Sequence, residues 1–123
     1  MVSDWEGILA DFDLNSVDDV NVMHISGLMA HSDSGVFRVM LEKATAGTEP
    51  SSLIIDLTDL EFICSTGMSL LVQYQRMMDE AGRRMVTTGM SGTVRETVEI
   101  CGIDKLISTS ATVDAALDGL SAV

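Results

Sequence analysis

LIIDLTDLEFICSTGMSLL, Leu53 to Leu71, changes its hydrophobic period part-way, and that change decides the fold. Leu53, Ile54, Ile55 and Leu57 make a short apolar run interrupted only by Asp56, the pattern of a strand buried on both faces. From Ser65 the spacing turns helical. Gly67, Leu70, Leu71, Tyr74, Met77, Met78 and Ala81 form one stripe, while Gln73, Gln75, Arg76, Asp79 and Glu80 take the other side. A central strand therefore hands over to a long amphipathic helix, with Ser65 or Thr66 placed to accept a bond from one of its unpaired N–H groups as N-cap.

The flanking segments repeat this alternation. Upstream, Ile8 to Leu14 reads as an edge strand and Val20 to Ile25 (VNVMHI) as another, with Ser26-Gly27 expected to end it. Phe37, Met40, Leu41 and Ala44 fall at helical spacing, with Ser32, Asp33 or Ser34 as N-cap, Gly47 beyond the end and Pro50 blocking continuation. Downstream, Gly82 suits a left-handed helix end, and Arg83 to Thr88 reads as a strand closed by Gly89. Thr93 and Glu96 have the spacing of a capping box opening a third helix. Val94, Val98 and Cys101 share its inward face, which puts Cys101 in the core, and Gly102 closes it. Ile103 to Ile107 reads as extended, and Val113, Ala116, Leu117 and Leu120 as a last helical stripe. Strands separated by helices require right-handed crossovers. The expected architecture is a single α/β domain over residues 1–123: one mixed sheet with a largely parallel centre, flanked by about four α-helices.

Composition limits what such a domain can do. At 123 residues the chain has room for one core, and 46% hydrophobic residues with only five aromatics make that core aliphatic, with nine methionines available to fill gaps. Seven Lys plus Arg against nineteen Asp plus Glu give a net charge of −12, which excludes the cationic footprint that nucleic acid or an anionic membrane requires and favours a partner with a basic surface. Six acidic residues precede position 20, so residues 1–19 read as a solvated acidic flank. Cys64 and Cys101 read as reduced thiols. With His24 and His31 they have no metal-ligand spacing, so neither metal nor cofactor is expected. The opening MVSDWEG lacks a basic n-region and no apolar stretch reaches 18 residues, so a cytoplasmic protein without membrane insertion is expected. There is no Gly-rich phosphate loop, HExxH, GxSxG or pair of CxxC motifs, which points to a non-enzymatic protein.

The junction Glu61 to Met68 supports two readings. In one, Ser65-Thr66 only caps the helix, contributing about 1 kcal/mol. In the other, a hydroxyl at the positive end of the helix carries a phosphate, resting on the N–H groups of Gly67 and Met68, with Gly67 allowing a close backbone or nucleotide approach. Met68 and Ser69 are expected to be exposed and to extend that face. Cys64 reads either as a small buried residue or as a thiol whose pKa the helix start lowers.

The run from Leu53 to Leu71 resembles the bacterial STAS domain of anti-sigma factor antagonists, whose pattern is hydrophobic strand, D-L, then D-S-[ST]-G-L before a long helix. Ala81 to Val86 (AGRRMV), Val94 to Leu106 and Ser110 to Leu117 are similar to later parts of the same family, so the likeness spans about residues 20–120. The resemblance implies a STAS fold and a partner switch. The unphosphorylated protein binds an anti-sigma factor that is also a serine kinase, phosphorylation at Ser65 ends the binding, and a PP2C-type phosphatase restores it. Thr66 is then a secondary acceptor, and Cys64, Ser65, Thr66, Gly67, Met68 and Ser69 form the partner-binding face. Two positions depart from the family pattern: Cys64 replaces the aspartate before the serine, and Ala30 replaces the last residue of G-x-[LI]-D. These departures keep an alternative open, a permanently docked STAS subunit of a lipid-transport ATPase complex. A small enzyme or nucleotide-binding protein using the helix start as an anion site is the rival from another class.

Overall fold

In the computed structural model, residues 10–47 and 52–121 are described. Five strands form one sheet: β1 (Ala10–Val17), β2 (Val20–Met29), β3 (Ser52–Ile63), β4 (Arg84–Thr88) and β5 (Thr109–Ser110), in the order β1-β2-β3-β4-β5. β1 and β2 are antiparallel and the other pairs parallel. Between them run α1 (Ser34–Thr45), α2 (Ser65–Glu80) and α3 (Gly92–Ile100), and α4 (Val113–Ser121) follows β5. The mixed sheet with a parallel centre and four helices is the architecture expected.

Residue chemistry explains the connections. Val17 pairs with Val20 across the turn Asp18-Asp19, both at positive φ (51° and 64°). This is the two-residue hairpin geometry that aspartate tolerates better than a branched side chain does. α2 ends in a left-handed Gly82 (φ 70°), with Gly82 N–H donating to Asp79 O (3.1 Å) and Arg83 N–H to Met78 O (2.8 Å). These two bonds satisfy carbonyls the helix would otherwise leave open.

Alternation along β3 divides the interior. Leu53 and Ile55 face the main core with Met23, Ile25, Phe37, Leu41, Leu71 and Val98, beneath α1, α2 and α3. Ile54 points the other way, onto Val20 and Ala116 of α4. Each fully buried aliphatic side chain contributes about 1.5–3 kcal/mol over exposure, so the central strand anchors both layers. Phe12 stacks on Phe37 with centroids 5.8 Å apart.

Several expectations are corrected. Ser26-Gly27 does not end β2. The strand absorbs two register shifts there, with Gly27 at φ 87°, and runs on to Met29. β3 correspondingly continues past Leu57 to Ile63. Gln75, read as solvent-facing, is 3% exposed: its Oε1 accepts Ser108 N–H (3.1 Å) and its Nε2 donates to Asp79 (3.0 Å). Met77, read as core, is 48% exposed, and Ala81 is exposed as well. The Thr93–Glu96 box does not open α3. Ser91, in extended conformation, is the N-cap, so Thr93 already lies inside the first turn. Cys101 is the C-cap of α3 and is exposed, because the chain leaves the helix there toward left-handed Gly102. Ile103–Lys105 forms a 3-10 turn instead of an extended segment, and the strand comes later, at Thr109–Ser110. Ile8, Leu9 and Pro50 lie outside the described residues, as does the acidic flank before Ala10.

Candidate functional site

The site grows from the end of β3. Cys64 is extended (φ −79°, ψ 168°), and its N–H donates to Met29 O (2.9 Å), tying the ends of β2 and β3 together. That extended residue is the N-cap of α2, not Ser65 or Thr66. Its Sγ accepts Gly67 N–H at 3.4 Å, its carbonyl accepts Met68 N–H at 3.1 Å, and Ser34 Oγ lies 3.8 Å from the sulfur. The N–H groups of Gly67 and Met68, expected to cradle a phosphate, are thus already engaged. Those of Ser65 and Thr66 make no backbone hydrogen bond among the described residues. They are the donors free to meet an anion, on the side where the helix dipole favours one.

The six expected site residues separate into two groups. Ser65 is exposed, and its hydroxyl has no hydrogen-bond partner among the described residues. Ser69 is also exposed, one turn further on. Thr66 Oγ1 lies 3.2 Å from His31 Nδ1, on the 3-10 turn His31–Asp33. Gly67 and Met68 face inward. A Cβ on Gly67 would come within 2.6 Å of Met29 Sδ and 2.9 Å of Ile63 Cγ1, so glycine is needed there for packing against the strand ends, not for a close approach from outside. Met68 is 6% exposed, which corrects the expectation that it faces solvent, and Cys64 is half-buried.

Two features of the site were not evident in the sequence. Leu28 and Phe62 are paired across β2 and β3 and both remain exposed, Phe62 three residues before Ser65 in the chain. The sequence shows them as strand residues, and only the bulged register turns them away from the core. The second is Asp33, 2% exposed. Its carboxylate accepts the N–H of Ala30 (2.9 Å) and of Ala10 (3.4 Å) instead of capping α1. A buried carboxylate at the end of the 3-10 turn His31–Asp33 thus fixes the turn that presents His31. Both histidines have a side-chain partner: His31 Nδ1 has Thr66 Oγ1, and His24 Nε2 lies 2.7 Å from Asp59 Oδ2 in an exposed pair. Among the described residues no group of three or more His, Cys, Asp or Glu is placed to hold a metal, and no helix is long and apolar enough to cross a membrane.

Comparison with known proteins agrees with this geometry. Residues 11–116 match the STAS domain family. The anti-sigma F factor antagonist of Paenibacillus polymyxa is 19% identical over 88 residues, covering 72% of this chain and 75% of that protein. The fold superposes on the anti-sigma factor antagonist SpoIIAA in its unphosphorylated form with a TM-score of 0.76 at 21% identity, over 92% of this chain and 98% of that one. An anti-sigma factor antagonist from Mycobacterium paratuberculosis gives a TM-score of 0.74 at 22% identity, over 93% of each chain. Sheet order, the strand-to-helix junction and the extent of the match lead to one conclusion: the chain belongs to the STAS domain family.

Proposed function

We propose that this protein is an anti-sigma factor antagonist that works by partner switching in the cytoplasm, with Ser65 as its phosphorylation site. The observation that carries the reading is the state of Ser65: an exposed hydroxyl on the first turn of α2, bonded to nothing among the described residues. A serine kept only as a cap would spend its oxygen on a backbone N–H, and here Cys64 performs that task. The hydroxyl is left available to a kinase and to a partner surface.

The switch needs no rearrangement of the fold. A phosphoryl group adds about −1.5 to −2 charges and three acceptor oxygens at a surface that offers only an uncharged, exposed hydroxyl. Its oxygens can turn back onto the free N–H groups of Ser65 and Thr66, where the helix start stabilises negative charge. A partner fitted to the neutral form then meets a bulky, hydrated dianion and dissociates. The partner is an anti-sigma factor with serine kinase activity, and a PP2C-type phosphatase resets the cycle. Similarity to the Paenibacillus polymyxa anti-sigma F factor antagonist supports this role over a docked transporter subunit.

The test uses the host's serine-kinase anti-sigma factors, purified and mixed with this protein and ATP. Mass spectrometry is expected to find one phosphoryl group on Ser65, absent in Ser65→Ala, with Ser65→Asp losing most of the binding that the wild type shows. Absence of phosphate from Ser65 and Thr66 with every such kinase would overturn the reading.

A further inference from the structure

The exposed face of α2 continues well beyond Ser65. Ser65, Ser69, Val72, Gln73, Arg76 and Met77 recur at intervals of three and four and so lie along one strip of the helix surface. Across from this strip sit Ile103 and Leu106, at the 3-10 turn after α3. Between them runs a groove of about 430 Å³, walled on the helix side by residues from Ser69 to Met77.

Three properties set the groove apart. Met77 is 48% and Leu106 55% exposed, although both are large apolar side chains that could have been buried. Arg76 is the only charged residue lining the groove, in a chain with nineteen carboxylates. It has no hydrogen bond or ion pair among the described residues, whereas Arg83 donates to Thr45 O and Gly47 O, and Arg95 to Met90 O. The groove also begins at Ser69, one helical turn from Ser65, so it is continuous with the proposed switch.

We propose that this groove is a second contact of the same partner, and that it takes an amphipathic segment with one apolar side chain seated between Met77 and Leu106 and a carboxylate paired with Arg76. The inference rests on the partner-switching reading and specifies the partner's chemistry. The molecule's overall charge of −12 steers a basic protein toward it, and an arginine in the groove then selects the place on that protein where a carboxylate stands next to an apolar residue. Methionine and arginine are both enriched at protein interfaces, and arginine is among the residues that dominate their hot spots. Because the groove lies down the helix from Ser65, its contribution persists when Ser65 is phosphorylated. Phosphorylation therefore weakens the complex without erasing the groove's share of the affinity.

The experiment is calorimetric titration of the host serine-kinase anti-sigma factor that binds the wild-type chain, against Arg76→Glu, Arg76→Gln, Leu106→Asp, Ser65→Asp and Arg84→Glu. Arg84 is exposed at the start of β4, lines a separate pocket beside α4 and not the groove, and serves as the charge control. Arg76→Glu and Leu106→Asp are expected to weaken binding by on the order of tenfold or more each, Arg76→Gln by less, and Arg84→Glu to leave it unchanged. Cross-linking through position 76 identifies the facing carboxylate, and its replacement by lysine is expected to restore affinity to Arg76→Glu. Nitrogen-15 spectra of each variant show that the fold is retained. If the groove variants bind like the wild type while Ser65→Asp binds weakly, this inference is overturned and the switch stands. If no such kinase binds the wild type, both fall. A wild-type dimer that Leu106→Asp dissociates would assign the groove to a second copy of this chain and also overturn the inference.

Discussion

Cys64 and Ser65 are neighbours with opposite duties. The thiol of Cys64 caps α2, yet sulfur is a weak acceptor, and its bond to Gly67 N–H is 3.4 Å long. Cys64→Asp places a carboxylate at the same position, where both the cap and the helix dipole favour it and Ser34 Oγ is close enough to donate. Urea denaturation is expected to show it more stable than the wild type by about 1 kcal/mol at neutral pH. Ser65→Ala is expected to change stability by less than about 0.5 kcal/mol, since the hydroxyl holds nothing in place. A loss of about 1 kcal/mol or more would return Ser65 to a capping role.

The junction between β3 and α2 works because the helix comes very close to the strand ends. At Gly67 an added methyl gains helix propensity of about 1 kcal/mol, but it meets Ile63 Cγ1 at 2.9 Å and Met29 Sδ at 2.6 Å, both in fully packed surroundings. Gly67→Ala is therefore expected to destabilise the protein by about 1–2 kcal/mol and to disturb binding at Ser65 indirectly. At the ends of β1 and β2, Asp33→Ala removes the carboxylate that receives two backbone N–H groups, Ala30 and Ala10. A cost of about 2–3 kcal/mol in urea denaturation is expected, because at least one donor is left buried without a partner.

At the scale of the whole molecule, the phenol of Tyr74 links pH to stability. Burial pushes the phenol of Tyr74 above its ordinary value of 10.0, Glu42 adds to the rise, and Arg38 opposes it. The folded state thus holds this proton more tightly than the unfolded chain does. Stability is unaffected by this group below pH 10, and falls as pH rises above it until the folded phenol also ionises. Tyr74 is the only tyrosine, so absorbance at 295 nm reads it alone. Its midpoint in native protein is expected above that in urea, and equal midpoints would show that the ring is not buried in solution.

Local patterning in the sequence determined the alternation of strands and helices and the place of the strand-to-helix junction. Periodicity and end signals act over a few residues, and Leu53 to Leu71 contains both in one span. What lay beyond its reach depended on distant partners. Gln75 is buried because Ser108, far along the chain, supplies a donor, and Met77 is exposed because the turn at Ile103–Lys105 leaves a groove beside it. The prolonged β2 and β3 exist because two bulges keep them paired beyond Ser26-Gly27, a result no single strand encodes. Gly67 and Met68 belong to the same motif as Ser65, yet the tertiary fold packs Gly67 against Met29 and Ile63, buries Met68 in the core and leaves Ser65 outside. Sequence specified which residues form the motif, while three-dimensional packing decided which of them a partner can touch, because exposure depends on what lies opposite each side chain and not on its neighbours in the chain.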